Sequence, residues 1–207
     1  MSIGDDLQER KPLSEEDAGR AHLYALIGRL FYDAPDSILL AQLCRAEAEP
    51  TGINAPLDRA WQSLRVACGS AYPEGVEREH DSLFVGVGRS EVTPYTCHYV
   101  MGNSPDRHLV QLRGRLEQLG MARRSAAFEV EDHVSGICDV MRILIEDGHS
   151  LSEQRLFFKE FVYPGVTPFC AAVAVATSAA FYRCVAEFTR AFLEVERQAF
   201  ELHEAEA

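Results

Sequence analysis

No two of the six cysteines lie within four residues of one another. That spacing excludes zinc-type and redox C-x-x-C pairs. Several of the thiols fall in apolar helical stripes, where they read as small hydrophobes of a reducing compartment. Basic charge is scarce: 20 Lys and Arg face 32 Asp and Glu, a formal net charge of −12. Such a chain repels nucleic acid and anionic lipid and attracts a basic partner, for example an arginine-containing peptide. Solubility alone also accounts for an acidic surface. Long apolar runs are missing. The longest low-charge stretch, Val162 to Tyr182, is broken by Pro164, Gly165 and Pro168 into pieces too short for a bilayer. The opening residues, Met1-Ser2-Ile3-Gly4-Asp5-Asp6, have neither the basic nor the apolar region of a secretory signal. A cytoplasmic protein without a stable membrane insertion is expected. Strand-like alternation and fixed-period repeats are absent as well.

What remains is helical patterning over 207 residues, 47% of them hydrophobic, enough for a substantial core. Ser14 with Asp17 forms a capping pattern ahead of Leu23, Ile27, Leu30 and Phe31 on one face. Asp36 caps a short helix, Asn54 precedes another, and Val76 to Phe84 suggest a fourth that Gly86 and Gly88 stop. Residues 86–104 lose periodicity and read as a long ordered loop, uncommon unless functional. Ser104-Pro105 starts the next helix, which Gly120 ends. Val134, Ile137, Cys138, Met141, Leu144 and Ile145 make the cleanest stripe, and Ser150 with Glu153 a second capping box. Thr167-Pro168 reads as the start of an alanine-rich helix, and Ser178 as the cap of the last one. The expectation is a single globular all-α domain of about eight or nine helices. Its N-terminal lobe would cover about 14–85, the loop 86–104, and a C-terminal lobe about 105–203.

Candidate chemistry is sparse. Glu129, Glu131, Asp132 and His133 cluster at the start of the strongest helix. The helix dipole favours acidic groups there by about 0.3–1 kcal/mol each, but gives a cationic histidine nothing. An Asp beside a His could instead fix the imidazole tautomer or bind a basic ligand. His80-Asp81 resembles the core of helical HD metal-dependent phosphohydrolases, with His22 and Asp139 as conceivable further ligands. Cys97-His98 are adjacent, which is not the arrangement a catalytic pair requires, and no G-x-S-x-G elbow exists. Arg123-Arg124 lie mid-chain and read as a solvated connection.

Two segments carry a family resemblance. One is E-H-D-S-L-F-V-G-V-G-R-S-E-V-T-P-Y, in which Leu83 and Phe84 end a helix, Gly86 and Gly88 follow, and Pro94-Tyr95 close the loop. The other is Glu129-Val130-Glu131-Asp132-His133, followed by Met141. Their order and separation resemble the TorD/DmsD family of cytoplasmic redox-enzyme chaperones, over about residues 20–196. A looser similarity runs through Phe157 to Val162, the Pro164 turn and Phe181-Tyr182. Val130 stands where the family pattern has proline, and His80 where it often has an aromatic residue.

The resemblance implies an all-helical binding protein rather than an enzyme, without a cofactor of its own. Its partners would be the twin-arginine signal peptide and the apo form of a molybdenum-cofactor oxidoreductase, held back from export until the cofactor is inserted. Asp132 and His133 would lie at the peptide site with Glu129 nearby. Leu83, Phe84, Pro94 and Tyr95 would shape the adjoining surface, although Leu83 and Phe84 also read simply as core. The resemblance allows a homodimer by lobe exchange about the 86–104 loop. The competing readings are the HD-type phosphohydrolase and a structural subunit of a respiratory complex.

Overall fold

The computed structural model describes residues 12–46, 55–86, 90–100, 105–121 and 132–206. Among these residues the chain forms nine α-helices. They are α1 (Glu15–Tyr32), α2 (Ser37–Arg45), α3 (Ala55–Ser70), α4 (Pro73–His80), α5 (Pro105–Gln118), α6 (Val134–Glu146), α7 (Leu151–Phe157), α8 (Tyr163–Val175) and α9 (Phe181–Glu206). A wide π turn, Asp81–Val85, prolongs α4, and another, Phe158–Val162, joins α7 to α8. No named strand occurs among the described residues, in keeping with the all-α expectation.

Local chemistry starts several helices where the sequence places them. The Ser14 hydroxyl accepts from the Asp17 amide at 3.0 Å, and Asp36 accepts from the Leu39 amide at 2.8 Å. Ser150 and Glu153 make a reciprocal capping box. Two starts differ from expectation. α8 begins at Tyr163, not at Thr167, because Pro164 sits in the first turn, where a missing N–H costs nothing. Pro168 then lies inside the helix, its lost bond outweighed by the burial of Val166, Phe169 and Cys170. α9 is capped by Glu79 of α4 rather than by Ser178. The Glu79 carboxylate accepts from the amides of Ala180, Phe181 and Tyr182 at 2.8, 3.1 and 2.7 Å.

The core runs along the seam of α1 and α6. Ile27 and Leu30 of α1 and Ile137, Met141 and Leu144 of α6 are fully buried. Gly28 permits the approach: a β-carbon there would stand 3.3 Å from the Ser135 carbonyl. α3 and α8 pack on α9. An aromatic cluster of Phe31, Phe84, Phe169 and Tyr182 joins four segments, with ring centroids as close as 5.0 Å. Near the other end of α1, Arg20 pairs with the buried Glu196 of α9 at 2.7 Å, and the Tyr24 hydroxyl donates to the same carboxylate at 3.0 Å. That buried charge is matched, which is the condition for tolerating it.

Candidate functional site

The site forms where the two sequence signatures meet. The π turn that carries Leu83 and Phe84 ends at Gly86, whose φ of 62° suits glycine. The chain then doubles back, and the Val92 amide donates to the Leu83 carbonyl at 2.8 Å. This delivers Pro94 and Tyr95 to the start of α6. The Val134 amide donates to the Pro94 carbonyl, and the Thr96 amide to the Asp132 carbonyl, both at 2.9 Å. The pair makes an isolated antiparallel bridge between Tyr95 and His133. Their rings meet edge to face at 5.5 Å.

His133 has a specific structural task. It is the N-cap of α6, and its Nδ1 accepts from the Ser135 amide at 3.2 Å and lies 2.6 Å from the Ser135 hydroxyl. An imidazole nitrogen can accept only when it carries no proton. The residue that seemed out of place as a cation is therefore at home as a neutral acceptor.

Asp132 is 1% exposed and turned inward. Its Oδ2 accepts from the Cys97 amide at 3.1 Å, and the Thr96 hydroxyl donates to its carbonyl at 3.1 Å. Thr96 in turn lies 3.4 Å from Nε2 of the buried His108 of α5. Thr96 also presses on α8: a β-carbon at Gly165 would stand 2.6 Å from the Thr96 β-carbon. Burial, and then the Asp132 carboxylate, push the Cys97 thiol up to about 12. It stays protonated, which removes Cys97-His98 as a nucleophilic pair. Burial lowers the pKa of His108, with Asp132 opposing it.

Beside this bridge opens a cleft of about 740 Å³, within the range of small-ligand sites. Phe84, Pro94, Tyr95 and His133 line it, and so does His80 at 7% exposure. Tyr32 and Val85, 55% and 63% exposed, form its apolar lip. Among the described residues, Glu91 is the one charged side chain other than histidine on its wall. The Glu91 carboxylate accepts from the amides of Thr177 and Ser178 at the α8–α9 turn, and the Ser178 side chain, followed by those amides, lowers its pKa. The wall among the described residues carries no lysine or arginine.

The expected site residues thus separate into three groups. Phe84, Pro94, Tyr95 and His133 come together on one cleft. Leu83 and Asp132 lie beneath it, Leu83 as fully buried core and Asp132 as the brace of the 94–97 turn. Glu129 lies outside the described residues, as do Val130, Glu131 and Arg123-Arg124. Periodicity did not single out Tyr32, Glu91 or Tyr99 on the cleft wall. The only signal for Glu91 and Tyr99 was their place in the aperiodic loop.

The HD reading does not assemble. His80 is packed between the rings of Phe84 and Tyr182, while Asp81 points outward with only a 3.9 Å approach to the His80 Nδ1. His22 is exposed, and the equally exposed Asp139 pairs with Arg142 at 2.8 Å. No group of three or more His, Cys, Asp or Glu side chains among the described residues is arranged to hold a metal ion. No helix among them is long and apolar enough to cross a membrane.

Residues 51–171 match the nitrate reductase delta subunit family, a stretch that contains both signatures. No curated protein sequence matches the chain significantly. Among solved structures, a protein from Archaeoglobus fulgidus described as a redox enzyme maturation protein shares the fold. The TM-score is 0.53 at 19% identity, over 90% of this chain and 99% of that one.

Proposed function

The chain belongs to the nitrate reductase delta subunit family, whose TorD-like members are redox-enzyme maturation chaperones and not catalysts, and from that premise we propose its specific task. It binds the twin-arginine signal peptide, the apo form, or both, of a molybdopterin-type oxidoreductase in the cytoplasm. It holds that enzyme back from export until the cofactor is in place.

The observation that carries this reading is the cleft itself. The two segments that define the resemblance are hydrogen-bonded to each other and form one concave wall. An apolar lip, aromatic walls and an acidic side chain suit a peptide that combines apolar residues with arginine. Asp33 and Asp81, next to His80, add negative charge on that side, as does the formal net charge of −12.

The magnitudes are compatible. Micromolar affinity needs about 8 kcal/mol. Burying three or four leucine-sized side chains gives about 5–12 kcal/mol gross. Ordering the peptide costs about 2–5 kcal/mol. Contacts to arginine make up the difference and weaken with salt.

Titration calorimetry with a synthetic twin-arginine leader peptide tests the proposal. Tyr95→Ala, which removes a cleft wall, should weaken binding about tenfold or more with the fold intact. Unchanged affinity in that variant would refute the cleft as the peptide site. Asp132 enters as a positioning residue, so Asp132→Ala should weaken binding together with a fall in stability.

A further inference from the structure

Two large apolar side chains at the lip of the cleft lie open to solvent. Tyr32 and Val85 are each more than half exposed, and both line the cleft. Single exposed hydrophobics are ordinary, whereas a pair bordering one concave wall marks a contact surface. The pair stands on a rigid support. Tyr32 follows Phe31 and Val85 follows Phe84, and those two buried rings meet edge to face at 6.0 Å.

Local structure keeps both side chains uncovered. Each is the last residue of its helical segment. α1 stops at Tyr32 because Asp33 is extended, with φ of −155°. The π turn stops at Val85 because Gly86 leaves with φ of 62°. Helical side chains lean back over the turn before them, and here no turn follows to cover either one. The π turn is closed by the Gly86 amide, which donates to the Asp81 carbonyl at 2.7 Å. Such turns concentrate at functional sites. The lip also lies in an acidic field. Asp33 follows Tyr32 directly, and Asp33 and Asp81 both act on His80 of the same wall. An apolar surface in such a field suits an apolar side chain with a basic neighbour and disfavours one with an acidic neighbour.

We propose that Tyr32 and Val85 form a subsite for one apolar side chain, of leucine or phenylalanine size, beside the arginines of the bound segment. The pair determines specificity at that position. A guest between the phenol ring and the branched side chain removes water from both of them and from itself. The inference rests on the cleft being the peptide site.

Titration calorimetry on the full chain tests it with a synthetic twin-arginine leader peptide and a set in which each apolar residue in turn becomes alanine. The proteins are the wild type, Tyr32→Ala, Tyr32→Phe, which keeps the ring, Val85→Thr, which exchanges a methyl for a hydroxyl, and Tyr95→Ala. Tyr32→Ala should weaken binding of the parent peptide about fivefold or more, and Tyr32→Phe less than about twofold. At one apolar peptide position, the double-mutant cycle with Tyr32→Ala should give a coupling of about threefold or more. A smaller coupling at every apolar position overturns the inference. Val85→Thr preserves shape and carries the cycle if Tyr32→Ala melts early. The Tyr32→Ala loss should be the same at about 50 mM and about 500 mM salt, because an apolar contact is not screened. A loss that vanishes at high salt overturns the inference as well. If Tyr95→Ala weakens binding while the lip cycles are additive, the cleft stands and the lip assignment falls. If Tyr95→Ala has no effect, the cleft reading fails and takes the inference with it. Unchanged peptide affinity in Tyr32→Ala, with self-association lost in sedimentation, would give the lip to a second copy of the chain and overturn the inference.

Discussion

Removing the Glu79 carboxylate should loosen the start of α9, whose Tyr182 ring packs on Phe84 beneath the cleft. Three amides at the N-terminus of this 26-residue helix donate to Glu79, at 2.7 to 3.1 Å. A helix start leaves its first amides without internal partners. Ala180, Phe181 and Tyr182 would return to that condition in Glu79→Ala. Losing a cap costs about 0.5–2 kcal/mol. The favourable charge at the helix N-terminus adds about 0.3–1 kcal/mol. Further bonds to an ionised acceptor are worth more than neutral ones. A total of about 2–4 kcal/mol follows for Glu79→Ala. Glu79→Gln keeps one acceptor oxygen and should lose about half as much. The measurement is urea unfolding at constant slope, combined with amide hydrogen exchange. At this chain length the Ala variant should melt about 4–16 °C lower, at about 2–4 °C per kcal/mol. Exchange should accelerate first at residues 180–182. A change below about 0.5 kcal/mol, or exchange that stays slow at those amides, would refute the argument, because ordinary surface substitutions already span that range.

Three further outcomes follow from the same geometry. Gly165→Ala should push the Thr96 turn away from α8 and cost about 1–3 kcal/mol. Thr96→Gly in the same chain should relieve part of that loss in a thermal melt, because the two β-carbons would be 2.6 Å apart. His133→Ala removes the cap of α6 and should cost about 1 kcal/mol, whereas His133→Asn retains a capping acceptor and should cost less. Urea midpoints separate the two. The pH dependence of stability has a definite sign. His80 and His108 bind protons less well in the folded chain than in the unfolded one, because burial lowers both pKa values. Stability from these groups is therefore complete above about pH 6.5. It falls as the pH drops from there toward the folded-state values, by up to about 1.4 kcal/mol per pH unit for each residue. Replacing both by Gln should flatten that limb of the profile in urea titrations at pH 5 to 7.

Legibility in the sequence tracked the range of the interaction involved. The α6 stripe was plain because one face of Val134, Ile137, Met141 and Ile145 is fully buried, and burial writes itself as period. The caps at Ser14, Asp36 and Ser150 were plain because donor and acceptor lie three residues apart. The cap of α9 was invisible because Glu79 stands about a hundred residues upstream, where nothing in the local pattern marks it. The same holds for the site. Periodicity identified the 86–104 loop as unusual and His133 as unexplained, yet could not pair them. The resemblance supplied the pairing of Pro94-Tyr95 with Asp132-His133, and the bridge gives its physical form. His133 resisted explanation because it was weighed as a charge, when its service is a lone pair. Leu83 read equally well as core, and it is core.

The two hydrogen bonds that tie Pro94 and Thr96 to Asp132 and Val134 also divide the chain in a way that bears on how relatives can vary. They pinch together the two ends of the stretch from 96 to 132, of which His98 and Tyr99 themselves line the cleft. Lengthening or shortening that excursion beyond Gly120 changes the circumference of a closed loop without moving its knot. A change of length there should leave the bridge between Tyr95 and His133 in place. The anchor that frames the cleft is therefore independent of the length of the chain it encloses.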